Sequence, residues 1–404
     1  MMDSNLVNMN STLKNDFKMI IAGGKTGGHL FPAIAVAQAV LQLKPNAGIL
    51  FVGTGELFEL NTLARYGFNH KKISSAGIKG KGVFEKIRAA AQIPISIMQA
   101  VAIIRDFKPD IVLGVGGFSS GPVIVAAKIC NVKTAVHEQN SIAGVTNRIV
   151  QHFADLICTS FKETKGLNQS EKVVHTGNPI RKNEISSLSS DKDDTDASGL
   201  NNGANQDDSK KFTILVTGGS QGARSINTAF IEALKLIKSL KKYKIIHQTG
   251  ATDESRVLLE YENLAKESKK SNHDNEFEDI SVGAFFNDLP AIQASADLII
   301  CRAGAGTISE ITSIGKAALL VPYPYAADDH QTFNAKSLSD KGAAWLVEDS
   351  LLSGGLLKER IEFAASHPEE LAQMAQRAKE LGNPFADEMI ASLCIEMVTE
   401  SLKE

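Results

Sequence analysis

Cysteine is scarce in this chain: Cys130, Cys158, Cys301 and Cys394 lie far apart, and none stands in CxxC spacing. That excludes a disulfide framework and a cysteine zinc site, and it suits a reducing compartment. Positive charge is not in excess. A net charge of −3 argues against a nucleic-acid binder that works by bulk charge and leaves only a local basic face open to that role. Residues 1–17 are polar, without the apolar h-region of a signal peptide. The run AAAQIPISIMQAVAII, between Arg88 and Arg105, has 16 uncharged residues but is broken by Gln92, Pro94, Ser96 and Gln99. A bilayer span needs about 20 predominantly apolar residues, so this is no transmembrane helix. Metal-ligand spacing is missing too, and the Asp328-Asp329-His330 cluster is too thin to make a metal site.

What is present is an ordinary globular composition, 43% hydrophobic and 22% charged, over 404 residues. That length suits two or three domains and exceeds one ordinary core. Two halves begin alike. Lys18-Met19-Ile20-Ile21-Ala22 reads as a strand, followed by Gly23-Gly24-Lys25-Thr26-Gly27-Gly28-His29 and a helix pattern through Val40. Residues 212–216 repeat the strand, leading into Thr217-Gly218-Gly219-Ser220-Gln221-Gly222-Ala223-Arg224 and a helix through Leu240. Further strands at 49–52, 111–114, 134–137, 244–248 and 298–300 alternate with helical runs. The fold class is therefore α/β, two Rossmann-like domains with parallel sheets.

Residues 186–211 carry almost no large apolar side chain and read as an acidic disordered linker or surface insertion. A smaller polar insert, 266–278, reads as an extended loop. The tail from Glu369 is helical, broken at Gly382-Asn383-Pro384. The expected domains are an extension at 1–17, an N-terminal domain at 18–185, the linker at 186–211, a C-terminal domain at 212–375, and terminal helices at 376–404 that pack back on the N-terminal domain.

Residues 301–335 concentrate the chemistry. After the strand comes the small-residue loop Ala303-Gly304-Ala305-Gly306, then a helix opening at Thr307 and stopping at Gly315. A glycine-rich loop feeding a helix N-terminus presents unpaired N–H groups to a phosphate. A strand at 318–321 follows, then Pro322-Tyr323-Pro324 and a polar loop holding Asp328, Asp329, His330 and Gln331. Glu310 has two readings: the last residue of a Thr307-Ile308-Ser309-Glu310 capping box, or an acceptor for a ribose diol.

Gly24-Lys25-Thr26 imitates the end of a Walker loop, but the glycine needed five residues earlier is Met19, and the ATPase reading fails. Gly23 to Gly28 also lacks GxGxxG spacing. His29 sits at the carboxyl edge of the first strand, where it is either a packed structural histidine or a general base titrating near neutral pH. Gly114-Val115-Gly116-Gly117-Phe118-Ser119-Ser120-Gly121-Pro122, His137-Glu138-Gln139-Asn140 and Asn178-Pro179-Ile180-Arg181 each follow a strand at the same sheet edge. The uncharged run at 89–104 has basic flanks, Lys79, Lys81, Lys86, Arg88 and Arg105. It fits either a helix packed on the sheet or a peripheral membrane contact.

The segments GGKTGGHLFPAIAVA, GVGGFSSGP, HEQNSIAGVTNR, GNPIR, VTGGSQGARSIN, CRAGAGTISE and DDHQTFNA together resemble the MurG family of bacterial glycosyltransferases, family 28, in that family's order and across both halves. The resemblance implies a GT-B fold, its two Rossmann-like domains facing a central cleft. It implies inverting transfer of N-acetylglucosamine from UDP-GlcNAc to the muramoyl 4-hydroxyl of lipid I, giving lipid II, with no metal or cofactor. Carried over by position, His29 is the base. Thr26, Gly27, Gly28, Asn140 and Arg181 contact the donor from the first half and its hinge, and Ser220 contacts the diphosphate. The Phe286 backbone meets the uracil. Ala305, Gly306, Thr307, Ile308, Ser309 and Glu310 grip phosphates and ribose, and Gln331 reads the sugar. Implied partners are UDP-GlcNAc, lipid I, anionic phospholipid through residues 79–105, and cell-wall and division machinery, but no nucleic acid. The implied place is the cytoplasmic face of the membrane, and the membrane-contact reading of 79–105 then leads. Lys25 and the 186–211 insertion depart from the family's pattern.

Overall fold

Each half starts from a short apolar run buried on both sides, as a central parallel strand requires. The computed structural model describes residues 16–24, 26–75, 83–180, 211–219, 221–270, 278–286 and 288–401. Lys25, Lys79, Lys81, Arg181 and Ser220, the side chains of Lys86 and Arg88, residues 1–15 and residues 186–210 lie outside the described residues. The chain packs as two units. One comprises Met1–His137, Val145–Ile157 and Glu388–Glu404; the other comprises Glu138–Gly144 and Cys158–Asp387.

The first sheet is laid down by β1 (Lys18–Ala22), α1 (Gly27–Leu43), β2 (Gly48–Gly53), α2 (Leu57–Arg65), β3 (Asn69–Lys72), α3 (Val83–Phe107), β4 (Ile111–Gly114), α4 (Ser120–Ile129), β5 (Lys133–Glu138), α5 (Val145–Val150), β6 (Leu156–Thr159) and β7 (Val173–His175). Its order is β3-β2-β1-β4-β5-β6-β7, and β1 pairs in parallel with both β2 and β4. The direction of strand addition reverses at β1. In open α/β sheets, ligands bind beyond the carboxyl ends of the strands at such a point. Two glycine loops meet there. Gly23 has φ +115°, and a Cβ on it would sit 2.3 Å from the Gly116 carbonyl oxygen.

Along α3, Ala100 and Ile104 are buried, whereas Ile93, Ile95 and Met98 are 41%, 50% and 72% exposed. Pro94 lies within this helix, and no described helix is long and apolar enough to cross a membrane.

The second unit repeats the plan with β8 (Phe212–Thr217), α6 (Arg224–Leu236), β9 (Tyr243–Gln248), α7 (Glu254–Lys270), β10 (Ile280–Gly283), α8 (Leu289–Ser295), β11 (Leu298–Cys301), α9 (Ala305–Ile314), β12 (Ala318–Leu320), α10 (His330–Ser339) and β13 (Trp345–Leu346). The sheet order is β10-β9-β8-β11-β12-β13, every pair parallel, with the switch between β8 and β11. Helices α11 (Gly354–Ser366), α12 (Pro368–Leu381) and α13 (Ala386–Ser401) follow. The expected break falls between α12 and α13, where a Cβ on Gly382 would meet the Thr312 backbone at 2.5 Å.

Three expectations are corrected. The loop expected from Lys266 begins later, because α7 continues through Lys270 with a Glu262–Lys266 pair at 3.9 Å. Helix α6 stops at Leu236, not Leu240: Ile237 turns extended, and it and Leu240 are buried in the core. Helix α9 opens at Ala305, two residues before Thr307.

Adding one methyl at Gly23 tests the switch-point packing. Gly23→Ala should destabilise the first unit by about 2 kcal/mol or more, through the carbonyl clash and the positive φ. A urea midpoint equal to wild type would refute the close approach.

Candidate functional site

In the first unit, Thr26 is the N-cap of α1, but its hydroxyl makes no capping bond to the helix. Thr26 Oγ1 instead lies 3.0 Å from His29 Nδ1, in the first turn. When Nδ1–H donates to that hydroxyl, Nε2 keeps its lone pair, the state a proton acceptor needs. Gly27 and Gly28 open the helix, and a Cβ on Gly28 would meet nothing within 4 Å. Thr26, Gly27, Gly28 and His29 therefore form one cluster at the carboxyl edge of β1.

In the second unit, the loops after β8 and β9 touch backbone to backbone. A Cβ on Gly222 (φ +72°) would lie 2.2 Å from the Thr249 carbonyl oxygen, so glycine is required. Gln248, at the end of β9, is 1% exposed and ties this loop to the next. Its Nε2 donates to Thr217 Oγ1 at 3.1 Å, and that oxygen also accepts from Gly219 N at 3.1 Å. Its Oε1 accepts from Phe286 N at 3.1 Å. Of the Phe286 backbone groups, the N–H is thus already engaged.

Behind Gln248 lies His247, 0% exposed. Asn227 Nδ2 donates to the Thr249 carbonyl (3.0 Å) and to Asp253 Oδ2 (2.8 Å), so Asn227 Oδ1 is an acceptor. His247 Nε2–H must then donate to it at 3.1 Å, and Nδ1 accepts from the Tyr261 hydroxyl at 3.1 Å. The ring is neutral. Burial pushes its pKa down to about 3, against a raising effect of Asp253.

The loop after β11 leads into α9 without a side-chain cap. The N-cap of α9 is Gly304, and the first intrahelical bond runs from Ile308 N to the Gly304 carbonyl at 3.0 Å. The N–H groups of Ala305, Gly306 and Thr307 precede that bond. Thr307 lies inside the helix, so the capping box does not form. Glu310 instead accepts from Gln293 Nε2 through Oε2 at 3.0 Å. Ser309 Oγ donates to the Ala305 carbonyl at 2.8 Å, and Ile308 is buried. Burial, with the Glu310 charge adding to it, pushes the Cys301 thiol up to about 12, too high to furnish a thiolate near neutral pH.

Arg302, missed in the sequence, locks the neighbouring loops. Its guanidinium donates to the Val321 carbonyl (3.2 Å), the Pro322 carbonyl (3.1 Å), Ser225 Oγ (2.9 Å) and Asp349 Oδ1. Gln331, in the first turn of α10, accepts from Tyr323 N at 2.9 Å through Oε1, so that bond engages its oxygen and not its NH2 group. Asn140 lies in the second unit although β5 precedes it. Its N–H donates to Glu138 Oε1 at 2.9 Å, and its carboxamide oxygen accepts from Asn334 at 3.2 Å. Phe286, Ala305, Gly306, Thr307, Ile308, Ser309, Glu310, Gln331 and Asn140 therefore share this unit. Gln248, Arg302 and Asn334 carried no spacing signal that separates them from exposed polar residues. No group of three or more metal-ligating side chains occurs among the described residues.

Two family models match the chain: the glycosyltransferase family 28 N-terminal domain over residues 19–159 and the family's C-terminal domain over residues 213–389. A protein of Syntrophus aciditrophicus named UDP-N-acetylglucosamine–N-acetylmuramyl-(pentapeptide) pyrophosphoryl-undecaprenol N-acetylglucosamine transferase is 41% identical, over 94% of this chain and 99% of its own length. A protein of Desulfotalea psychrophila with the same name is 37% identical, over 94% and 97%. Among solved structures, MurG of Acinetobacter baumannii superposes with a TM-score of 0.72 at 28% identity, covering 94% of this chain and 99% of that one. The UDP-GlcNAc 2-epimerase of Neisseria meningitidis, at 14% identity and a TM-score of 0.64, shares the fold.

The His247 network has a pH signature. Unfolding restores a pKa near the ordinary 6.5, so the unfolded chain binds a proton that the folded chain refuses. Its contribution to stability is therefore full above about 6.5 and is lost as pH falls toward 3, at up to about 1.4 kcal/mol per pH unit. His247→Gln should lower the urea midpoint at pH 7.5 yet flatten its decline between pH 7.5 and 5. A decline as steep as in wild type would overturn the neutral-histidine assignment.

Proposed function

The chain belongs to glycosyltransferase family 28, and we infer from that premise that it transfers N-acetylglucosamine from UDP-GlcNAc to the muramoyl 4-hydroxyl of lipid I, giving lipid II for peptidoglycan. The observation that carries this reading is the 41% identity to a relative named for that reaction, over 94% of this chain.

The residues supply the steps as follows. UDP leaves as the acceptor hydroxyl attacks the anomeric carbon from the opposite side, inverting it. Charge grows on the departing diphosphate. The N–H groups of Ala305, Gly306 and Thr307 and the α9 dipole meet that charge, with Ser220 on the same phosphates. The Phe286 N–H is held by Gln248, so the uracil N3–H is read by the Phe286 carbonyl. Glu310, steadied by Gln293, accepts from a ribose hydroxyl. Gln331 donates to the sugar hydroxyls, and Thr26, Gly27, Gly28, Asn140 and Arg181 complete the donor contacts. His29 takes the acceptor proton on Nε2 while Thr26 holds Nδ1. A preorganised histidine base is worth about 10²–10⁴-fold in rate.

The lipid acceptor requires work at a bilayer surface, and the reading includes a peripheral position at the cytoplasmic face. The exposure of Ile95 and Met98 on α3 supports this contact. Ile95 and Met98, three residues apart, share a face turned away from buried Ala100 and Ile104, so the lipid-facing side of α3 is read through those two.

Radiolabelled UDP-GlcNAc should label lipid I presented in vesicles. Labelling of diacylglycerol in its place would reassign the acceptor. His29→Ala should lose about 10²–10⁴-fold in kcat while retaining UDP binding; turnover at the wild-type rate would remove His29 as the base. Replacing Ile95 and Met98 with serine should release the protein from sedimenting anionic liposomes, and undiminished sedimentation would remove α3 from the membrane contact.

A further inference from the structure

Asn334 is 0% exposed and sits on α10, one turn after Gln331. A buried carboxamide has two N–H donors and two acceptor lone pairs to satisfy, and here all four are used. Oδ1 accepts from Ser141 N at 2.9 Å and from Ser141 Oγ at 2.8 Å. Nδ2 donates to the Ala303 carbonyl at 3.2 Å and to Asn140 Oδ1 at 3.2 Å. Nothing is left over for a ligand, so Asn334 is no ligand contact. It is a knot joining three segments of the second unit: residues 138–144, the residue before the α9 N-cap, and the helix that carries Gln331.

The knot fixes the sense of the Asn140 amide. Its oxygen faces the Asn334 donor, so its Nδ2 lies on the opposite side, 3.4 Å from Glu138 Oε1. Glu138 is itself held, since Oε1 accepts from Asn140 N at 2.9 Å and Oε2 from Gly144 N at 2.9 Å. A flipped Asn140 would set two NH2 groups against each other and a carboxamide oxygen against a carboxylate. The Asn140 NH2 group is therefore turned away from Asn334, with one N–H beyond the Glu138 contact, a donor that suits the oxygens of a phosphate or a sugar.

We propose that Asn334 is a positioning residue for the sugar-nucleotide donor, acting through Asn140 by holding its carboxamide in the hydrogen-bond-donating orientation. The proposal rests on the reading of Asn140 as a donor contact, and a double-mutant cycle separates the two. Asn140→Ala should raise KM for UDP-GlcNAc by about tenfold, the loss of one good hydrogen bond. Asn334→Ala should raise it comparably, with KM for lipid I unchanged and kcat within about twofold, a split that loss of folded protein would not produce. In the Asn140→Ala background, Asn334→Ala should add nothing to KM. An unchanged KM in Asn140→Ala would refute the donor-contact reading itself. A raised KM there, with a full further increase in the double variant, would leave that reading standing and overturn the role of Asn334. Should Asn334→Ala fail to fold by thermal melting, Ser141→Ala takes its place. It removes one donor to Asn334 Oδ1 and should raise the donor KM in the wild-type background only. An equal effect in both backgrounds overturns the proposal.

Discussion

A side-chain amide taken out of water has to replace the hydrogen bonds it gives up, at a cost of about 1–3 kcal/mol for each group left unmet. The second unit turns that constraint into its main ordering device. Gln248 answers it by joining Thr217 to Phe286, and Asn334 by joining Ser141, Ala303 and Asn140. Asn227 does the same one layer deeper, with Thr249, Asp253 and His247. Each amide has a fixed donor end and a fixed acceptor end, so it fixes register as well as distance. The loops after β8, β9 and β10 are thereby held to one another, and the loop after β11 to residues 140–141 and α10, before any ligand arrives, and preorganisation of that kind lowers the cost of binding.

Helix starts show the complementary economy. Ser353 caps α11 by accepting from Leu356 N at 3.3 Å. Ala223 before α6 and Gly304 before α9 have no side chain that can cap, and Thr26 before α1 turns its hydroxyl to His29 instead. Side-chain caps are worth about 1 kcal/mol apiece. Where they are absent, at these glycine-rich sheet-edge loops, the N–H groups stay available to an anion. Local helix stability and anion affinity compete for the same donors, and at these three helices no side-chain cap takes them.

This competition also explains what the sequence could and could not disclose. The strands β1, β4, β8, β9 and β11 were legible because parallel central strands are continuous apolar runs. The glycine loops were legible because backbones approach within a Cβ radius at Gly23 and Gly222. The edge strand β3, Asn69–Lys72, reads NHKK and has a largely exposed burial pattern, so no periodicity marked it. The TISE pattern pointed to a cap, but Gly304 and Ala305 let the helix begin two residues earlier and left Glu310 on its flank, beside Gln293. Gln248, Arg302 and Asn334 escaped for one reason: a polar residue is written the same way whether it is solvated or buried, and only the fold supplies its partners.

Arg302 carries the argument to its last step. A guanidinium beside the proposed diphosphate site invites the role of phosphate clamp. Here it stacks 5.5 Å from the Tyr323 ring, is 12% exposed in its side chain, and donates to two carbonyls, a hydroxyl and Asp349. Its charge is matched by that carboxylate. Withdrawing it toward a phosphate would strand Asp349 in a partly buried setting, a cost of several kcal/mol for a broken buried pair. Arg302 therefore serves the loops, fixing Tyr323, whose N–H in turn holds Gln331. On the proposed reading, stabilisation of the departing diphosphate falls to the backbone N–H groups at the start of α9. Those need no rearrangement when the charge develops, whereas an arginine drawn from its partners would have to move first.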